Sequence, residues 1–135
     1  MTEFMDSLAL IAAINRRDQY HDAVAEYLKQ YMGKFVTTEW VLMEATDALS
    51  EAYHRSAIVT AIRRMRTDSR YRIVPYDLGI YDAGFDLYSA RPDKNWSLID
   101  CISFVVMEQF NLADAMTEDH HFRQAGFNPI FEKVP

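Results

Sequence analysis

The sequence predicts an α/β fold: a three-layer α/β/α arrangement around a central, mainly parallel sheet. Three observations carry that expectation. Short apolar strands alternate with helices along the whole chain, the pattern of a parallel sheet covered on both faces. Asp6, Asp100 and Asp119 all open helices, and Asp6 and Asp119 each come just after a strand. Half of the 135 residues are hydrophobic, enough for the core of one domain, placed at residues 1–135.

The elements follow in order. Thr2–Met5 reads as a strand and Ser7–Asn15 as a helix. Asp18 can cap a second helix, Gln19 to Tyr31, which Gly33 ends. Lys34–Thr37 reads as a strand. Thr38 can cap a helix from Glu39 to Tyr53. That helix carries an apolar stripe of Val41, Leu42, Ala45, Ala48, Leu49 and Ala52 at helical spacing. Glu44 lies at the stripe's edge, where a mid-helix acid can reach a site at the core's margin.

Ser56–Thr67 is a further helix, followed by the strand Arg72–Val74, stopped by Pro75. Asp77–Ala90 is helical, weakened by Gly79 and Gly84. Arg91–Trp96 is a loop and Ser97–Phe110 a strong helix. Ala113–Met116 is a strand, Asp119–Ala125 a short helix ended by Gly126, and Pro129–Phe131 a last strand. No internal repeat or low-complexity segment interrupts the series.

Composition narrows the function classes. The single cysteine, Cys101, makes no intramolecular bridge, which fits a reducing, cytoplasmic setting. No secretory signal is evident, and no apolar run nears the ~18 residues of a membrane span. A net charge of −6 argues mildly against a nucleic-acid partner. The average hides an inversion: six arginines lie between Arg55 and Arg72 against one acid, Asp68. Arg63, Arg66 and Arg70 share one helical face if the helix runs that far. A solvated face is the plain account of them; the alternative is an RNA-docking patch.

In parallel sheets, ligands bind beyond the carboxyl ends of the strands, which is where Asp6 and Asp119 fall. Joined by Asp100 and Glu44, they suggest a carboxylate cluster for a divalent metal. Four segments extend the pattern. They are Phe4-Met5-Asp6-Ser7-Leu8-Ala9-Leu10-Ile11-Ala12, Val36-Thr37-Thr38-Glu39-Trp40-Val41-Leu42-Met43-Glu44, Asp93-Lys94-Asn95-Trp96-Ser97-Leu98-Ile99-Asp100-Cys101, and the run from Met116 through Thr117, Asp119, His121, Phe122, Ala125 and Gly126 to Phe127. In that order, the chain resembles the PIN-domain family, and especially the VapC-type ribonuclease toxins of bacterial toxin–antitoxin pairs.

The resemblance implies metal-dependent cleavage of RNA phosphodiesters. Asp6, Asp100 and Asp119 then hold Mg2+ or Mn2+, and Glu44 holds a second ion or orients the attacking water. It also implies products with a 5′-phosphate and a 3′-hydroxyl, an antitoxin partner and a homodimer. Two positions depart from the family pattern. Leu8 stands where a hydroxyl residue is usual, and Ile99 stands where a threonine is usual. Those hydroxyls serve to hydrogen-bond carboxylates or water.

The chemistry suits the residues. Mg2+ takes oxygen ligands and keeps several waters, so a few carboxylates suffice. The lack of a cysteine cluster argues against zinc. Two carboxylates ~5 Å apart repel by about 3 kcal/mol at an effective dielectric constant of 20, so the cluster is costly without its ion.

Each acid also has a plain structural account. Asp6 and Asp119, or Thr117, can cap helices. Ser97 with Asp100 is close to a capping box. Glu44 can be a solvated mid-helix acid. His120 and His121, adjacent on a helix, point apart and do not readily share a metal; surface or packing roles suit them, as they suit His21 and His54. Ser7, Ser97 and Cys101 have no evident base beside them. The competing functions are a catalytically weakened RNA-binding or protein-interaction module of the same fold, favoured by Leu8 and Ile99, and, ranked last, a DNA flap nuclease.

Overall fold

The computed structural model describes residues 1–133, and the last two residues of the expected 1–135 domain lie outside the described residues. The chain runs β1 (Thr2–Met5), α1 (Ser7–Ile14), α2 (His21–Gln30), β2 (Lys34–Thr38), α3 (Glu39–Ala48), α4 (Ala52–Thr67), β3 (Tyr71–Val74), α5 (Leu78–Ala90), α6 (Leu98–Gln109), β4 (Asp114–Met116), α7 (His120–Gln124) and β5 (Asn128–Pro129). The strands form one sheet in the order β3-β2-β1-β4-β5, and every pairing is parallel.

The strands are short and apolar because both faces are covered. Successive residues enter opposite cores, as the two-residue period of a strand requires. Met5, Phe35 and Met116 join a core built with Ala9, Leu10, Val24, Leu42, Leu49, Ile58 and Met65 of α1 to α4 and the turn after α3. Their neighbours Phe4, Val36 and Ala115 join a second core with Cys101, Phe104, Met107 and Phe122 of α6 and α7, against which Ile80 and Leu87 of α5 pack. The result is the three-layer α/β/α arrangement expected.

Local chemistry sets most boundaries. Thr38 Oγ1 accepts from Val41 N at 3.1 Å and Asp77 Oδ2 from Ile80 N at 2.9 Å, capping α3 and α5. Gly126, at φ +96°, closes α7 in the left-handed region. Gly84 has a packing reason: a Cβ there would lie 2.5 Å from Ile102 Cγ1 and 3.0 Å from its Cα. The glycine that weakens α5 as a helix lets it press against α6.

Four boundaries differ from the sequence expectation. The helix expected to run from Glu39 to Tyr53 stops at Ala48. Leu49 leaves helical geometry (φ −109°, ψ 34°), and its N–H bonds back to Ala45 and Thr46. Leu49 stays buried at 2% exposure, so the apolar stripe continues through a residue that is no longer helical. Asp18 does not cap α2 directly. Its Oδ1 takes the Tyr20 N–H at 2.8 Å in a turn, and the helix begins at His21. The last strand is Asn128–Pro129 rather than Pro129–Phe131. Finally, α4 begins at Ala52 rather than Ser56, while its end at Thr67 is the one expected and bears on the arginines below.

Candidate active site

The strand order places the site. From β1 the chain builds outward to β2 and β3, then returns to the other side of β1 with β4. The reversal falls between β1 and β4, and such a switch point opens a crevice beyond the carboxyl ends of the two strands. Asp6 follows β1 and Thr117 and Asp119 follow β4, so residues 111 apart in sequence become neighbours: Thr117 Oγ1 donates to Asp6 Oδ2 at 2.8 Å.

Asp6 sits at the N-cap of α1 but makes no side-chain cap bond. Its carboxyl points into the protein and is 3% exposed. Burial pushes its pKa up to about 7, and the charges of Asp100 and Glu44 push the same way; the Thr117 hydroxyl opposes them. The plain reading of Asp6 as a cap therefore does not describe it. Thr117 is no helix cap either: its hydroxyl serves Asp6 and also accepts the Asp119 N–H at 3.1 Å.

Asp100 and Asp119 do two things at once. Asp100 completes the capping box of α6, taking the Ser97 N–H at 3.1 Å while Ser97 Oγ accepts the Asp100 N–H at 3.0 Å. Its carboxyl nonetheless titrates above the usual range. Burial is the main cause, with Asp119 and Glu44 adding to it, while the Ser97 N–H and His121 pull it down. Asp119 caps α7 by taking the His121 N–H at 2.9 Å. Capping fixes where these carboxylates stand and leaves them facing one another.

Glu44 reaches the same place from the middle of α3. The Ser7 hydroxyl donates to Glu44 Oε1. Mutual electrostatic effects among Asp6, Glu44, Asp100 and Asp119 tie the four acids into one region. Among the described residues, no lysine or arginine forms an ion pair with any of them. A group of acids, Asp6 buried and the other three partly so, whose only ion-pair partners among the described residues are His120 and His121, fits a divalent cation, and carboxylate oxygens are the donors Mg2+ and Mn2+ take.

Sequence reasoning missed three contributors. Ser7 was set aside for want of a base, yet it orients Glu44. Thr117, part of the closing motif and a candidate cap, holds Asp6 instead. His121 was expected to point away from its neighbour and from any metal site. Instead Asp119, His120 and His121 offer ligand atoms that all lie within 4.8 Å of one another, and the two rings stand 4.4 Å apart. The expectation assumed helical spacing. Asp119 is still extended and His120 is the first residue of α7, so the helical angle does not apply there. The hydroxyl expected at position 8 is replaced in effect by its neighbour, Ser7.

The arginines do not form the shared face considered above. Arg63 and Arg66 lie on α4, but Arg70 lies beyond its end. Arg66 pairs with Glu39 at 2.6 Å and Arg70 with Asp68 at 3.3 Å, and the Arg70 guanidinium also lies over the Phe35 ring. Asp68 ends the helix and draws Arg70 back through its backbone N–H at 2.9 Å.

Known proteins bear on this arrangement. VapC20 of Mycobacterium tuberculosis, described as a sarcin–ricin loop cleaving toxin, superposes with a TM-score of 0.87 at 22% identity, covering 96% of this chain and 98% of that one. VapBC2 of Rickettsia felis, solved with a promoter DNA fragment, gives 0.65 at 14% identity, covering 95% and 96%. FitAcB of Neisseria gonorrhoeae gives 0.62 at 17%, covering 97% and 99%. No curated protein matches the sequence. The structural likenesses establish the fold. The sequence itself matches the model of the PIN domain over residues 4–128, nearly its whole length, and the chain therefore belongs to the PIN-domain family.

Proposed function

We propose that the protein is a Mg2+- or Mn2+-dependent endoribonuclease that hydrolyses RNA phosphodiesters, and the toxin of a type II toxin–antitoxin pair. The observation that carries this reading is the set of four acids gathered at the β1–β4 edge without a lysine or arginine partner among the described residues. The sarcin–ricin loop cleaving activity given for the neighbour VapC20 supports RNA as the substrate class. The antitoxin, the homodimer and the cytoplasmic setting rest on the family resemblance. No helix among the described residues is long and apolar enough to cross a membrane.

Asp6, Asp100 and Asp119 are assigned to hold the cation. When bound, it neutralises the scissile phosphate and lowers the pKa of the attacking water. Glu44, aimed by Ser7, takes up the water's proton or orients the water. Thr117 keeps Asp6 in place through its hydroxyl. The hydrogen bonds from Ser7 and Thr117 to carboxylates supply what Leu8 and Ile99 lack, and so favour an active enzyme over a weakened binding module.

The test is incubation of total cellular RNA with the protein, with and without Mn2+, followed by mapping of the cut ends. Metal-dependent cuts leaving 5′-phosphate and 3′-hydroxyl ends, lost in Asp100→Asn, are expected. A 2′,3′-cyclic phosphate end, or cleavage untouched by Asp100→Asn, would overturn the assignment.

A further inference from the structure

His121 stands apart from the acids it faces. Its Nδ1 is shielded from solvent and has no hydrogen-bond partner, although polar side-chain atoms that are buried are nearly always paired. It lies 3.2 Å from Asp119 Oδ1 and 3.4 Å from Asp100 Oδ2. The ring is held in that position from two sides. Its backbone N–H is tied to Asp119, and the next residue, Phe122, is fully buried in the second core.

These separations match a coordination site. Ligands about 2.1 Å from an octahedral ion stand about 3.0 Å apart along each edge. The Nδ1 atom stands close to that spacing from an oxygen of each carboxylate in turn and forms no hydrogen bond, so an ion on either carboxylate lies within its reach. Imidazole nitrogen suits transition metals, while Mg2+ prefers oxygen and gives up its waters reluctantly.

We propose that His121 supplies a nitrogen ligand to the cation held by Asp100 and Asp119, and that this biases the site toward Mn2+ over Mg2+. The proposal rests on the metal-site reading given under Proposed function and adds the identity of a ligand and of the preferred ion.

The experiment is electron spin-echo envelope modulation of Mn2+ bound to the purified protein, which detects directly coordinated 14N. The wild type should show the nitrogen modulation. His121→Gln and His121→Ala should lose it while still binding Mn2+, and His120→Gln should keep it. Titration should show Mn2+ affinity reduced by roughly tenfold in the His121 variants, within the range lost when a contact to a metal site is removed, with Mg2+ affinity changed less than twofold. Mn2+ bound by the wild type with no 14N signal would overturn the proposal and leave the carboxylate site standing. A signal that survives in both His121 variants, or vanishes in His120→Gln, would also overturn it. No Mn2+ binding by the wild type, with no change in Asp6→Asn, would overturn the metal-site reading itself and this proposal with it.

Discussion

Glu3 and Asp6 stand at opposite ends of β1, both acids and both 3% exposed. Their surroundings differ. Glu3 has a donor of its own: the Tyr27 hydroxyl bonds to both carboxylate oxygens, at 2.7 Å for Oε2. Burial raises the Glu3 pKa, Tyr27 opposes that rise, and Asp114 adds to it. Asp6 has one hydroxyl, from Thr117, and faces Asp100 and Glu44. Burial alone therefore does not mark a functional acid. Under the proposed function, Glu3, matched with the Tyr27 donor, belongs to the scaffold, and Asp6, facing other carboxylates, belongs to the cation site.

The contrast is sharpest in cleavage. Asp6→Asn should lower the RNA cleavage rate at least about a hundredfold, the effect of losing ~3 kcal/mol from the barrier. Glu3→Gln should stay within about threefold. Comparable losses in both variants would erase the distinction between the two ends of the strand.

Cation-linked stability comes next. Mn2+ at about 100 times its Kd should stabilise the wild type by about 2.7 kcal/mol, seen as a rise in Tm that Glu3→Gln retains and Asp6→Asn abolishes. An undiminished shift in Asp6→Asn would remove Asp6 from the site.

Tyr27→Phe leaves the buried Glu3 carboxylate without its donor and should cost about 1.5–3 kcal/mol in denaturant unfolding. Cleavage per folded molecule should stay unchanged.

A pH titration without metal separates the two ends in another way. With the Asp6 pKa raised from 3.8 to about 7, the folded protein keeps a proton that the unfolded chain has released at intermediate pH. Rising pH then favours unfolding. This contribution to stability is intact below about pH 4, is lost as pH climbs to about 7, and changes little above that. Tm followed from pH 5 to pH 8 should fall in the wild type and fall less in Asp6→Asn. Saturating Mn2+ should weaken the decline.

The smallest effect is expected at the arginines. With Arg66 and Arg70 already paired to acids, replacing Arg63, Arg66 and Arg70 together with glutamine should change RNA affinity less than about twofold at 0.15 M salt. A large loss with a flattened salt dependence would support the docking patch.

The alternation of strands and helices, the caps at Thr38 and Ser97, and the four acids were legible along the chain. Each of these depends on residues a few positions apart, through side-chain periodicity and the unpaired N–H groups of a helix start. The end of α3 at Leu49 was not, because the apolar stripe runs on unbroken while the backbone turns. The shared arginine face was conditional on a helix reaching Arg70; the expected end at Thr67 already excluded that, and Asp68 ends α4 there.

The amino-acid order by itself determined that strands and helices alternate, and it put an acid just after β1, just after β4 and within the first turn of α6. Only the tertiary structure decided which groups meet there: Ser7 with Glu44, 37 positions away; Thr117 with Asp6, 111 away; and His121 turned toward two carboxylates. Such encounters depend on strand order and on the crossing of helices over the sheet. Both are settled by burying two apolar faces at once, which no short stretch of sequence encodes.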